Sequence, residues 1–174
     1  MSHPSESIDI SHSVREHHDH LLHEWQHDTY KSRLKLDEPV VCPTCGAFFH
    51  EGHWQWGDSP SHAHESQCPA CHRIADHMPA GFVSISGAFF NVHRDEIDHL
   101  IHNVEKQQKA EHPLKRVIQT EALPDKDGIF VTLTDPHLAH DIGEALHSAY
   151  KGEVHYDYQK EEYIARVSWR RDAL

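Results

Sequence analysis

Four cysteines, in two matching pairs, are the residues of this chain most able to do chemistry. They read Cys42-Pro-Thr-Cys45-Gly46 and Cys68-Pro-Ala-Cys71-His72, with 22 residues between Cys45 and Cys68. A C-P-x-C knuckle turns two sulfurs to one side of a tight bend, where backbone N–H groups can point at them. Gly46 permits the positive φ that such a bend often needs. Two knuckles supply four thiolates, a donor set that suits tetrahedral Zn²⁺. The spacing predicts one structural Zn²⁺ held by Cys42, Cys45, Cys68 and Cys71 in a ribbon-type site. A redox dithiol normally stands singly in a βαβ unit, and a ferredoxin cluster uses other spacings. Four protein ligands leave no open position for a catalytic water, so the metal argues for structure and recognition rather than hydrolysis.

Histidine is the second oddity, at 21 of 174 residues spread along the whole chain. His23-Glu24-Trp25-Gln26-His27 matches H-E-x-x-H, which on a helix puts two imidazoles on one face with Glu24 as a base. It lies in a segment poor in apolar residues and no third ligand follows, so a zinc protease is set aside. His20, His23 and His27 remain candidates for a weak second metal site, as do His50, His53, His62 and His64 after the first knuckle. The competing reading of all of these is solvated polar residues.

The same loop carries Trp54 and Trp56, close behind Phe48 and Phe49. Such rings can stack on the bases of single-stranded RNA, or they can form the small core that a metal module needs. Arg73, Arg166 and Arg170, joined by Lys115 and Arg116, are candidates for a local basic patch and hence an RNA or partner contact. A solvated sheet face is the alternative. No dinucleotide-binding glycine motif, P-loop or G-x-S-x-G elbow occurs. No catalytic pair and no small-molecule site stands out, so the expectation is a non-enzymatic protein.

These residues need elements to hold them. Residues 1–38 read as a polar, His-rich arm, partly helical or disordered, with a helix expected over about 13–36. Residues 39–80 form the zinc ribbon. Residues 81–174 read as an α+β domain. There 82–90 is expected as a strand with Gly87 as a bulge, 92–109 as a helix on Ile97, Leu100, Ile101 and Val104, and 114–123 and 129–134 as two strands. Asp135 is a natural N-cap with Pro136 behind it. Leu138, Ile142 and Leu146 share one apolar helix face, and Gly152 ends that helix. Residues 153–158 and 162–169 alternate like two hairpin strands. The order is β-α-β-β-α-β with one extra strand, a ferredoxin-like arrangement.

Composition bounds the partners. The net charge is −12 with histidine neutral, which excludes a blanket polycation on nucleic acid, so any RNA contact must be local. No run of apolar residues is long enough to span a membrane. The N-terminal residues lack the apolar stretch of a secretory signal, and paired cysteines of this kind belong to a reducing compartment. A cytoplasmic location is expected.

The segments CPTCGAFFHEGHWQW (42–56), CPACHRIADHMPAGFVSISGAFF (68–90), HRDEIDHLIHNVEKQQKAEHPLKRV (93–117) and TDPHLAHDIGEALHSAYKGEVHYDY (134–158) together resemble a group of short bacterial zinc-ribbon proteins. That group is similar to the archaeal and eukaryotic large-ribosomal-subunit export adaptor family, named for nonsense-mediated decay. The resemblance spans roughly residues 39–170. It implies zinc knuckles ahead of mixed α/β structure, and a protein that binds the ribosome or its RNA and affects ribosome maturation, stability or mRNA decay. The rival functions are a protein-interaction or stress-regulatory module without nucleic acid, and a histidine-rich metal-handling protein.

Overall fold

The computed structural model describes residues 28–30, 36–124, 127–159 and 161–174. The helix expected over 13–36 falls almost wholly outside the described residues, as do His20, His23 and His27. Among the described residues the fold is mixed α+β, with two sheets and four helices.

The first sheet is built from β1 (Val40–Val41), β2 (Phe48–His50), β3 (His53–Gln55) and β4 (His64–Glu65), in the order β3-β2-β1-β4. Strands this short carry little stability of their own. Behind β4 the chain enters α1 (Pro69–Asp76). This corrects the expectation of a second free-standing knuckle: Cys68 is the N-cap of α1, Pro69 its first residue, and Cys71 lies in its first turn. The local chemistry favours it, since proline at the first helical position has the right φ and no N–H to lose.

The second sheet contains β5 (Gly81–Ser86), β6 (Val117–Ala122), β7 (Gly128–Leu133), β8 (Glu153–Gln159) and β9 (Ile164–Arg170), in the order β6-β7-β5-β9-β8. Its helices are α2 (Ala88–Val92), α3 (Arg94–Glu111) and α4 (Pro136–Tyr150). β7 runs antiparallel to β5 and β6, β9 runs parallel to β5, and β8 pairs antiparallel with β9. The extra strand thus lies inside the sheet, next to the first strand, and the strand that follows α4 is pushed to the edge.

The hydrophobic core of this domain lies on one face of the sheet. Val83, Ile85, Val131, Leu133, Val167 and Trp169 alternate inward along the strands, and Ile97, Ile101, Leu138, Ile142 and Leu146 meet them from α3 and α4. The Asp135 cap holds as expected: one carboxylate oxygen accepts from the N–H groups of His137 (2.7 Å) and Leu138 (3.2 Å).

The strand expected over 82–90 ends at Ser86, and Phe89 and Phe90 are helical and buried. Gly87 is therefore no bulge. It has φ 111°, and a Cβ there would sit 2.2 Å from the Arg171 carbonyl oxygen. The same position lets Phe89 N–H bond that carbonyl at 3.1 Å. Gly87→Ala should cost about 2–3 kcal/mol, through both the forbidden φ and the backbone clash. Thermal unfolding checks this, and an unchanged midpoint contradicts the geometry.

Candidate metal centre

The first knuckle closes with two backbone bonds, Cys42 N–H to Ala47 O (2.8 Å) and Gly46 N–H to Cys42 O (2.9 Å). Gly46 takes φ 80°, as the turn demands. The knuckle presents Cys42 and Cys45, and the first turn of α1 presents Cys68 and Cys71. The four sulfurs lie within 4.8 Å of one another, and none is in a disulfide. Among the described residues they form the one cluster of three or more such donors, so His50, His53, His62 and His64 are not gathered into a second centre.

The spacing fits a single ion. Metal–sulfur bonds of about 2.3 Å in a tetrahedron require sulfurs about 3.8 Å apart. Cys45 Sγ and Cys68 Sγ are 3.8 Å apart. A multi-iron cluster needs its ligating sulfurs spread around several metals and bridging sulfides.

The thiols are not equivalent. Burial opposes ionisation of Cys42, but N–H groups of Cys68, Cys45 and Thr44 outweigh it and bring its pKa down to about 6. Burial pushes Cys68 up, reinforced by the neighbouring sulfurs and opposed by the Cys71 N–H. Cys71 is also raised by burial, against the pull of Arg116. A helix N-terminus favours negative charge on both of the α1 sulfurs.

Arg116 is the residue that sequence reasoning misplaced. It was expected on a basic surface patch, yet it is 7% exposed and lies across the sulfurs. One terminal nitrogen donates to Cys71 Sγ (3.2 Å) and the other to Cys45 Sγ (3.1 Å), while Nε donates to the Pro113 carbonyl (2.9 Å). Its backbone N–H bonds Thr134 Oγ1 at 2.9 Å, which ties it to the end of β7. Burial works against its charge, but the Cys45 and Cys71 sulfurs raise its pKa. A divalent ion with four thiolates carries a net charge of about −2, and a cation in contact offsets part of it. That surplus charge was the available signal: a buried four-cysteine centre calls for a cation, and few were in reach.

Of the other nominated contacts, Arg73, Trp54 and Trp56 also turn towards the protein. Arg73 is 6% exposed; it pairs with Asp28 (2.7 Å), donates to the Met78 carbonyl (2.9 Å) and lies 4.4 Å from the centre of the Tyr30 ring. It is not a surface cation. Trp54 packs on the sulfur cluster and against Phe49. Trp56 donates its indole N–H to the Lys109 carbonyl at 2.6 Å, which docks the loop on the end of α3. Both indoles are therefore committed to packing within the chain, Trp54 in the metal module and Trp56 between that module and α3. Arg166 and Arg170 are exposed on β9, and Arg170 is held by Asp172 at 2.8 Å. A basic patch uniting Arg73 with these two does not form.

A cleft of about 760 Å³ lies beside the centre, lined in part by Phe49, Trp54, His72, Leu114, Lys115 and Asp135. Lys115 there is bound to Gln108 (2.8 Å) and Asp141 (3.2 Å), and Asp135 caps α4. Among the described residues no helix is long and apolar enough to cross a membrane. Comparison of the chain with family models, with curated proteins and with solved structures found no match to any of the three.

Proposed function

We propose that the chain is a non-enzymatic zinc protein whose metal centre fixes a rigid surface for docking on the ribosome or on structured RNA. The observation that carries this reading is Arg116, laid over a closed set of four sulfurs. Zinc is the ion best suited to four thiolates at this spacing, since it favours tetrahedral sulfur and has no redox chemistry to disturb the site. A full shell covered by a guanidinium leaves no position for a substrate or a water. The side chains of the adjacent cleft with the most obvious chemistry, Lys115 and Asp135, are committed to structural bonds, which favours a docking role over catalysis. The knuckle and helix turn act here as a variation on a ribbon, and the order β-α-β-β-α-β supports a ferredoxin-like domain into which β9 has been added.

The test is sedimentation of the native chain from lysate through a sucrose gradient at low and high salt, with zinc counted in the purified protein. Salt-sensitive co-migration with ribosomes or one subunit, at one zinc per chain, is the expected result. A protein that stays at the top with one zinc favours a protein-interaction module. Several metals per chain would favour the metal-handling reading, for which the 21 histidines are the motive.

A further inference from the structure

The helices α3 and α4 cover one face of the large sheet, and on the other the side chains of the inner strands are half-buried or exposed. Alternation places Phe82 and Ser84 of β5, Phe130 and Thr132 of β7, and Arg166 and Ser168 of β9 on that open face, opposite the buried Val83, Ile85, Ile129, Val131 and Val167. Phe82 faces Thr132 on one side and Arg166 on the other, while Ser84 faces Phe130 and Ser168. The two phenyl rings are therefore diagonal neighbours on the two adjacent strands β5 and β7. Their centroids are 5.7 Å apart at an interplanar angle of 25°, and the Arg166 guanidinium lies 5.1 Å from the centre of the Phe82 ring.

We propose that this open face, with Phe82 and Phe130 as stacking rings and Arg166 as the phosphate contact, binds single-stranded RNA. The proposal rests on the reading that the chain docks on RNA, and it names where. Phe82 and Phe130 are half-buried and lie outside the core cluster, and apart from Arg166 their neighbours on β5, β7 and β9 are hydroxyls rather than an apolar stripe. A docking groove for an amphipathic protein helix would need a row of apolar anchors. Two rings on adjacent strands with hydroxyls between them suit bases, which have a π-face to stack and edges to bond. Arginine resting on an aromatic ring keeps its charge presented at low conformational cost.

The face also limits its ligand. Glu121 on β6 lies opposite Phe130, and Asp157 on β8 lies opposite Arg166. Acids therefore border the rings on both sides, and the cationic track follows β9 alone. One phosphate backbone can use that track, whereas the second strand of a duplex would run over carboxylates. With Arg166 as the contact, Arg170 being held by Asp172, the slope of log affinity against log salt should be shallow, about −0.7.

The test is fluorescence anisotropy of the metal-loaded full chain with labelled single-stranded RNA of about eight nucleotides, alongside the same RNA as a duplex. Phe82→Leu and Phe130→Leu keep apolar bulk but lose the stacking plane, and each should weaken single-strand binding about tenfold. Arg166→Gln should weaken it and flatten the salt slope by about 0.7. Asp157→Asn should tighten it. Circular dichroism and metal content report whether each variant folds; if the phenylalanine variants fail, the opposite shifts of Arg166→Gln and Asp157→Asn decide the matter. Equal affinity for duplex, no single-strand binding, or binding indifferent to these substitutions would overturn the site. Ribosome co-migration that survives all of them would overturn the site and leave the docking reading standing. Single-strand binding that follows the variants without ribosome co-migration would support the site and overturn docking on the ribosome.

Discussion

Stripping the metal from the folded protein should lower the stability of the large sheet as well as that of the N-terminal module. The centre draws on both: its sulfurs come from the knuckle and α1, and its covering cation from the start of β6. Once the ion leaves, Cys68 and Cys71 take up protons, because burial raises both. Arg116 is then a buried cation that has lost part of its compensating charge, a defect that costs up to about 3–5 kcal/mol. For a chain of this size that is a fall of up to roughly 10 °C in melting temperature. Hydrogen exchange localises the effect, since Thr134 N–H bonds the Arg116 carbonyl at 2.9 Å and its protection should fall with the metal. Cys68→Ser should reproduce both changes, while an apo protein with an unmoved sheet and an unchanged Thr134 amide would show the two parts to be independent.

The same thiols set the pH dependence. Metal binds the thiolate, so Cys68 and Cys71 must release their protons on loading, whereas Cys42, at about 6, is largely ionised at neutral pH. Protons therefore compete with the ion, and affinity falls as pH falls. With at least two protons displaced on loading, the fall should be at least roughly a hundredfold per pH unit near neutrality. Titration with a chromogenic chelator across pH 6 to 8, about the range in which such sites load, measures this, and a slope near zero contradicts the assignment.

Arg116→Met should weaken metal binding about 10- to 100-fold, as loss of a group bonded to the ligands typically does. Methionine fills the space, so the change reports charge and hydrogen bonds more than volume. It removes the donors to Cys45, Cys71 and the Pro113 carbonyl together. Arg116→Lys should fall between the two, because one ammonium on a flexible stem does not reproduce a planar fork that reaches two sulfurs. Chelator competition gives the affinities and the rate of metal loss. Equal affinity and equal melting temperature in wild type and Arg116→Met would reduce Arg116 to a space-filling residue.

Much of the local structure was legible because it is governed by neighbours in the chain. The knuckle at Cys42, the cap at Asp135, the apolar face of α4 and the final hairpin each rest on a few adjacent residues. The errors share one cause. Phe89 and Phe90 extend a β-like run, but Gly87 breaks it by turning the chain at φ 111° towards the Arg171 carbonyl, 84 residues along. Lys115 and Arg116 look like a surface pair, yet one binds α4 and the other the sulfurs.

The amino-acid sequence by itself determined the four-cysteine cluster, most of the strands and helices that follow it and which helix faces are apolar, because spacing and periodicity are properties of short segments. Only the tertiary structure decided where the charges and rings went. Arg73 and Arg116 are buried because Asp28 and the sulfurs, distant in sequence, offset their desolvation. Trp54 and Trp56 became packing because the sulfur cluster and the end of α3 lie against them. Phe82, Phe130 and Arg166 stand together because strand pairing, not chain proximity, set their register on the sheet's open face.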